Sequence, residues 1–253
     1  MTTYQKFISR FIENGYLPDF FSKSILKKSS LIIRHDVDFD VEYAYRIALQ
    51  ENEIGVTSTF FFLVRSAAYN IFEKTNFDKI KHIINLGHTV SIHFDPTLYN
   101  DIETGLSFER DIFESAFDLK IEIISIHRPS EYFLGNPDLI CGIPHTYNPI
   151  FFEQVKYYSD SQGIFRYGDP LHSEAFKKKD TIQLLIHPIW WMDDFCTPLD
   201  KLQSYLNDRI GRFESFMGEN CLLYKKFLEN KKLSECSSKG EFNESKKSYC
   251  KEN

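Results

Sequence analysis

The sequence lacks any long uncharged apolar run. The longest candidates, residues 60–64 and 184–186, are short and strand-like, whereas a membrane-spanning helix needs about 18 apolar residues. Residues 1–10 mix polar and apolar side chains, while a secretory signal needs an unbroken apolar stretch after its basic start. These absences predict a protein without a membrane span or an export signal, and hence a cytoplasmic location.

The sequence also lacks an excess of positive charge and a regular spacing of its cysteines. Lys and Arg number 30 against 36 Asp and Glu, which gives a net charge of -6, and no basic stripe alternates with aromatic residues. This composition argues against a nucleic-acid partner. The five cysteines are irregularly spaced without a C-x-x-C pair, which favours reduced thiols over a disulfide framework or a zinc knuckle.

What the sequence does contain is an alternation of β-rich runs with helical patterns from Ser30 onward. This alternation is typical of βα units around a parallel sheet or barrel. Strands are predicted at 31–38, 56–64, 89–93, 121–127 and 181–187, and helices at 41–49, 77–86 and 108–119. We expect an N-terminal helical extension over 1–28, a barrel domain over 29–233 with a long loop at 129–149, and a disordered polar tail over 234–253.

Polar residues close four of the predicted strands. In parallel α/β architectures reactive groups gather at the carboxyl ends of strands, which meet at one edge of the sheet. The residues at these ends are Asp36, Asp38, His93, Asp95, His127, Arg128 and His187. The sequence therefore predicts one site that these residues surround.

Asp36 and Asp38 form the most informative pair. Side chains alternate along a strand, so both carboxylates project to one side while His35 and Val37 project to the other. Two buried carboxylates repel one another unless a metal ion, an arginine or a raised pKa on one member relieves the repulsion. The alternative, an aspartate that only caps the next helix, is weakened because Asp40 already provides that cap.

His93 and Asp95 offer imidazole and carboxylate ligands of the kind that zinc and other divalent ions bind. A single histidine at the end of an apolar strand is more often a hydrogen-bonded core residue. This pair alone therefore does not define a metal site.

Taken in order, these segments resemble the NodB-type polysaccharide deacetylases, carbohydrate esterase family 4, and in particular the WbmS-like branch found with surface polysaccharide genes. The resemblance extends roughly over residues 31–191. Each motif is short, and their order and spacing carry the resemblance. The motifs are Arg34-His35-Asp36-Val37-Asp38, Gly55-Val56-Thr57-Ser58-Thr59-Phe60-Phe61, Gly87-His88-Thr89-Val90-Ser91-Ile92-His93, His127-Arg128-Pro129, Tyr158-Ser159-Asp160 and Leu185-Ile186-His187-Pro188.

The resemblance implies an α/β fold, a distorted (β/α) barrel of about seven strands, and removal of an acyl group from an N-acylated sugar. Asp36 would be the general base, held in its ionised form by Arg128. His187 would be the general acid, oriented by Asp160. These roles suit the residue types, because a carboxylate can take a proton from water and an imidazolium can give one to a leaving amine.

The resemblance also implies a divalent metal ion, with zinc as the expected ion, bound by Asp38 and His93. The family's motif has a second histidine four residues after the first, and Thr97 occupies that position here. Asp95 is the preferred substitute, and His127 is the alternative third ligand. If neither reaches the ion, the protein would be a sugar-binding relative without hydrolytic activity.

The function predicted from the sequence is a metal-dependent deacetylase that acts on an N-acylated sugar in lipopolysaccharide or capsule biosynthesis. Trp190 and Trp191 would either give the sugar a flat apolar surface or serve only in core packing. Two rivals remain, the catalytically inactive carbohydrate-binding relative and a barrel hydrolase that uses Asp36 and Asp38 as acid and base without metal.

Overall fold

The structure is a computed structural model that describes residues 1–21, 28–192 and 197–231. Its contacts divide the chain into two units, Met1–Pro198 and Leu199–Asn253. The predicted polar tail at 234–253 lies outside the described residues. The domain boundaries predicted near residues 28 and 233 remain a prediction.

The first unit contains a seven-stranded parallel sheet. Its strands are β1 (Leu17–Asp19), β2 (Ser30–Val37), β3 (Thr59–Phe62), β4 (Thr89–Phe94), β5 (Ser125–Ile126), β6 (Lys156–Ser159) and β7 (Ile182–Ile186). Its helices are α1 (Thr3–Glu13), α2 (Val41–Glu53), α3 (Lys74–Asn85), α4 (Ile102–Phe117), α5 (Pro149–Phe152) and α6 (Glu174–Lys178). The strand order is β5-β4-β3-β2-β7-β6, and β1 pairs with the start of β2.

Strand β2 lies at the centre of this sheet and is buried along its whole length. It is followed at once by α2, and the Asp40 side chain accepts a hydrogen bond from the Glu42 backbone N–H. The predicted strand, helix and cap are therefore confirmed, since the Asp40 carboxylate satisfies one of the unpaired N–H groups at the helix start.

Two predicted elements differ in length from those in the structure. The strand expected at 121–127 is reduced to Ser125–Ile126, because the Ile124 backbone N–H donates instead to the Pro144 carbonyl. Helix α4 begins six residues earlier than expected, at Ile102, since the Asp101 side chain caps it through the Glu103 backbone N–H.

The sheet curls, so that side chains on its inner face meet across it. Ser125 Oγ on β5 donates to Asp36 Oδ1 on β2 at 3.1 Å, although β3 and β4 lie between these strands. Below this contact the inner face is apolar and packs Ile32, Phe61, Ile123, Phe151 and Val155 together. The predicted α/β barrel is thus confirmed as a curled parallel sheet that forms a half-barrel.

On the outer face of β2, the buried carboxylate of Glu51, a residue of α2, forms hydrogen bonds that link α1 and α2 to the sheet. Its Oε1 atom lies 3.0 Å from His35 Nε2 and accepts a hydrogen bond of 2.5 Å from the Tyr4 hydroxyl on α1. Ser58 Oγ donates to Oε2 at 2.6 Å. Burial raises the pKa of Glu51, but His35 and its other partners outweigh burial and lower it. His35 therefore serves the outer packing, as the strand alternation predicts.

Glu109 of α4 should make stability depend on pH. Burial, opposed by Tyr99 and Arg65, raises its pKa from 4.5 to about 7. The folded chain thus keeps a proton that the unfolded chain releases near pH 4.5, so this group's stabilisation is present below pH 4.5 and is lost as pH rises to about 7. The expected loss is on the order of 3 kcal/mol.

Replacing Glu109 by glutamine should remove this loss. Denaturant unfolding at pH 5 and pH 8 should show the variant gaining stability relative to the wild type at the higher pH. Asp111→Asn, at an exposed position of the same helix, is the control and should leave the pH dependence unchanged. Equal slopes in Glu109→Gln and the wild type would contradict the expectation.

The second unit is helical where it is described. It comprises nearly all of α7 (Pro198–Asn220) and further helical residues over 222–231. Lys231 Nζ lies 3.5 Å from a Glu214 carboxylate oxygen, so these helical segments lie against each other. In the described part of the chain, no helix combines the length and apolarity that a membrane crossing requires.

Candidate metal and hydrolytic site

The predicted site residues gather at the carboxyl edge of the curled sheet. Asp38 follows β2, His93 lies near the end of β4, and His127 follows β5. Asp160 and His187 follow β6 and β7. Five strands therefore deliver one polar side chain each to the same edge, as expected for a parallel α/β sheet.

Three of these residues bring one donor atom each into a small triangle. His93 Nε2 lies 3.2 Å from Asp38 Oδ1, and His127 Nδ1 lies 3.4 Å from the same oxygen. The two imidazole nitrogens are 3.0 Å apart. Ligands on a tetrahedral zinc ion at about 2.0–2.1 Å are separated by roughly 3.3–3.4 Å. The triangle therefore has nearly the size that one divalent ion requires.

Hydrogen bonding around the triangle supports a cation site. Asp38 Oδ1 is buried and has no hydrogen-bond partner among the described residues, which is costly for an oxygen unless a cation or another donor satisfies it. Ser125 Oγ donates its hydrogen to Asp36 and also contacts His93 Nδ1. His93 Nδ1 is then the donor in that contact, and when the ring is neutral its Nε2 atom carries a lone pair that faces the triangle.

Electrostatics keep Asp38 in its charged form. Burial raises the pKa of this carboxyl, but hydrogen bonds from the imidazoles of His127 and His93 in their protonated form, together with the charge of His187, outweigh burial and hold the pKa well below its usual range. The carboxylate is therefore ionised at neutral pH, as a metal ligand must be.

Asp36 lies beside the triangle in a different environment. Its Oδ2 atom accepts a hydrogen bond of 3.0 Å from Arg34 Nη2, and both side chains are buried. Burial raises the pKa of Asp36, but Arg34 first, and then His93 and His187, lower it below its ordinary value. Asp36 is thus a buried carboxylate that a guanidinium keeps ionised.

The partner of Asp36 differs from the sequence expectation, which assigned this role to Arg128. Arg128 is exposed and adopts a left-handed backbone with φ of 49° just after β5. Arg34 is two residues before Asp36 on the same strand and therefore projects to the same side. Among the described residues, the guanidinium paired with Asp36 is that of Arg34.

The structure also separates the two candidates for the third metal ligand. Asp95 Oδ1 accepts hydrogen bonds from the Thr97 backbone N–H at 3.0 Å and from Thr97 Oγ1 at 2.6 Å. It caps the short turn at Pro96–Leu98 and does not join the triangle. His127, the alternative ligand, occupies the third corner instead.

His187 and Asp160 are paired as the resemblance implies. Asp160 Oδ1 lies 2.7 Å from His187 Nδ1 and also accepts a bond from the His187 backbone N–H at 3.0 Å. Burial lowers the pKa of His187, but the hydrogen bond and charge of Asp160, with Asp38 and Asp36, raise it to about 9. The imidazole is therefore protonated at neutral pH, with Nε2 3.9 Å from Asp38 Oδ2.

The two tryptophans occupy different surroundings. Trp191 Nε1 donates to Asp160 Oδ2 at 2.7 Å, and the indole stacks on Phe7 of α1 with ring centroids 5.0 Å apart. Trp190 is half-buried at the end of the short turn Pro188–Trp190. Trp191 therefore holds Asp160 in place from the α1 side, and contact of either indole with a sugar remains a prediction.

Sequence reasoning missed three residues of the site. Arg34 could have been found, because it shares its strand face with Asp36. Ser125 gave a weaker signal, since it lies two residues before His127 on a short strand. Tyr147, whose hydroxyl accepts a bond of 3.0 Å from Arg34 Nη2, lies in the long loop and had no pattern to mark it.

No protein-family profile matches the sequence, and no curated protein matches it. The chain is similar to a solved family 4 carbohydrate esterase from Bacillus anthracis, with 16% identity, a TM-score of 0.43, and coverage of 81% of this chain and 86% of that one. It is similar to the Streptococcus pyogenes deacetylase PplD, solved with acetate, with 11% identity, a TM-score of 0.41, and coverage of 79% and 84%.

A third similar structure is BA3943, described as a family 4 pseudoenzyme from Bacillus anthracis. The identity is 16% and the TM-score is 0.42, with coverage of 78% of this chain and 65% of that one. In each case the similarity is one of backbone fold.

Proposed function

We propose that the chain is a metal-dependent hydrolase that removes an acyl group, in particular an acetyl group, from an N-acylated sugar. The observation that supports this function is the triangle of Asp38, His93 and His127, with an ionised Asp36 on one side and a protonated His187 on another. The motif resemblance to the WbmS-like deacetylases gives the reaction class and an expected place in surface polysaccharide biosynthesis.

The triangle residues would hold the metal ion, and zinc suits two imidazoles and one carboxylate. Such an ion, when bound, supplies polarisation of the amide carbonyl and a lower pKa for water. Asp36 is placed to take a proton from the water that attacks the carbonyl carbon. Arg34 supports this role because it keeps Asp36 ionised and fixes its orientation.

His187 is placed to complete the reaction as general acid. Breaking the carbon–nitrogen bond releases a free carboxylic acid and the sugar amine, whose nitrogen must gain a proton to leave. The protonated His187 can donate this proton from Nε2, because Nδ1 is engaged with Asp160. Trp191 bonds the second Asp160 oxygen and so prevents the carboxylate from rotating away.

Acetate release tests this function directly. The purified chain, loaded with zinc, should release acetate from a panel of N-acetylated sugars that includes N-acetylglucosamine, its 1-phosphate and short N-acetylated oligosaccharides. Asp38→Ala should release none above background, because it loses one ligand of the triangle.

The alternatives give different results in the same assay. Binding of sugars by the wild type without acetate release from any of them would indicate the inactive carbohydrate-binding relative. Full activity in the presence of a strong chelator would instead indicate a hydrolase that uses Asp36 and Asp38 without metal.

A further inference from the structure

A cleft of about 490 Å³ lies beside the candidate metal site. It is bounded by the long loop after β5, by α5 and by the inner face of β6. Its walls include the aromatic residues Tyr147, Phe152, Tyr157 and Tyr167. A cleft of this volume falls within the range of small-molecule sites and exceeds what a single acetyl group would need.

Two tyrosines of the cleft wall contact Arg34, which is paired with Asp36 of the site. Tyr147 accepts a hydrogen bond from Arg34, and the Arg34 guanidinium also lies 4.8 Å from the Tyr147 ring centroid and 5.9 Å from that of Tyr157. Arg34 in turn holds Asp36. A ligand that rests on these two tyrosines therefore sits against the far side of the Arg34–Asp36 pair.

The chain path also places the cleft next to the site. Pro129, in the cleft wall, is two residues after His127. Ser159 and Ser161, also in the wall, flank Asp160. A sugar whose acyl group lies at the metal site, with its nitrogen toward His187, would thus extend its remaining part into the cleft.

The cleft wall carries a guanidinium in a chain whose net charge is -6. The charged residues of the wall are Arg166, Glu153 and Lys156, and the Lys156 ammonium lies 5.8 Å from the Tyr158 ring centroid, on the strand face opposite Tyr157. Arg166 is exposed and forms no ion pair with any described residue. Its neighbour Tyr167 is 80% exposed. A guanidinium without an ion-pair partner in the described residues, beside the aromatic rings of the cleft wall, is suited to an anionic ligand with an apolar or ring-shaped body.

We propose that this cleft binds the phosphate-bearing part of a phosphorylated N-acylated sugar. The inference rests on the proposed function, because it places the acylated end of that sugar at the metal site. Arg166 contacts the phosphate oxygens through charge-assisted hydrogen bonds. The tyrosines supply the surface against which the sugar rings, or the group attached through the phosphate, pack.

Calorimetric titration of the zinc-loaded protein tests this assignment. The probes are N-acetylglucosamine, N-acetylglucosamine 1-phosphate and UDP-N-acetylglucosamine. At least one phosphorylated probe should bind about tenfold more tightly than the neutral sugar, as charge-assisted hydrogen bonds provide. Arg166→Gln should weaken that binding by about tenfold and leave the neutral sugar unaffected. Lys177→Gln removes an exposed cation from α6, away from the cleft wall, and should change neither.

Two results would overturn the inference. One is equal affinity for neutral and phosphorylated probes. The other is a phosphate preference that Arg166→Gln leaves intact, because a phosphate bound only to the metal ion would not depend on Arg166.

Acetate release, measured in parallel on the same proteins, separates this inference from the proposed function. A phosphate preference that depends on Arg166, without acetate release from any sugar, would contradict hydrolysis and sustain phosphate recognition. Acetate release from neutral sugars without any phosphate preference would sustain hydrolysis and overturn the inference.

Discussion

Replacement of Asp36 by asparagine should lower kcat by about 10²–10⁴-fold, the range that general acid–base catalysis contributes. The amide keeps the size of the side chain and can still accept a hydrogen bond from Arg34, but it cannot take a proton from water. Asp36 lies outside the triangle of donor atoms, so the variant should bind as much zinc as the wild type. Initial rates at saturating substrate and metal content on the same preparation measure both quantities.

Asp95→Asn is the matched control for this variant. It makes the same carboxylate-to-amide change at the same edge of the sheet, on a residue that caps a turn. Asparagine is also an effective cap, so kcat should remain within about threefold of the wild type. If Asp36→Asn retained wild-type kcat, or if Asp95→Asn lost as much activity, the assignment of Asp36 as the base would not stand.

Removal of the Arg34 guanidinium should produce the largest loss of stability. Arg34 and Asp36 are both buried, and removal of one partner of a buried ion pair costs about 3–5 kcal/mol because the other charge is left uncompensated. Arg34→Met keeps much of the side-chain volume and removes the charge. Its free energy of unfolding, measured by denaturant titration at pH 8, should fall by that amount.

A second substitution identifies the cause of this loss. In Arg34→Met/Asp36→Asn no buried carboxylate remains unpaired at this position, so part of the lost stability should return. Arg128→Met, at the exposed arginine of the loop, should stay within about 0.5 kcal/mol of the wild type. A loss in Arg128→Met that equals the loss in Arg34→Met would restore the original expectation that Arg128 supports Asp36.

The sequence predicted the fold well where the pattern is local. The strand that carries Asp36, its cap at Asp40 and the following helix form within one stretch of chain, and each has its own signal. The strand after α4 was predicted too long, because pairing of Ile124 depends on the distant segment around Pro144 and His145. A long-range pairing of this kind leaves no periodicity in the sequence.

The sequence predicted which residues form the candidate site better than it predicted which of them contact one another. Strand alternation alone places Arg34 beside Asp36, so this pair was accessible from the sequence. The choice between Asp95 and His127 was not, because it depends on how the chain turns after β4 and β5. Asp95 accepts a hydrogen bond from Thr97 within a turn, whereas the His127 imidazole contacts that of His93.

Metal binding by three matched variants tests the central claim most directly. Zinc titration followed by mass spectrometry of the metal-loaded protein should show one ion per wild-type chain. Asp38→Ala and His127→Ala should each lose tight zinc binding, because two protein ligands alone bind weakly. Asp95→Asn should keep it. Undiminished binding in His127→Ala, or its loss in Asp95→Asn, would contradict the site proposed for this chain.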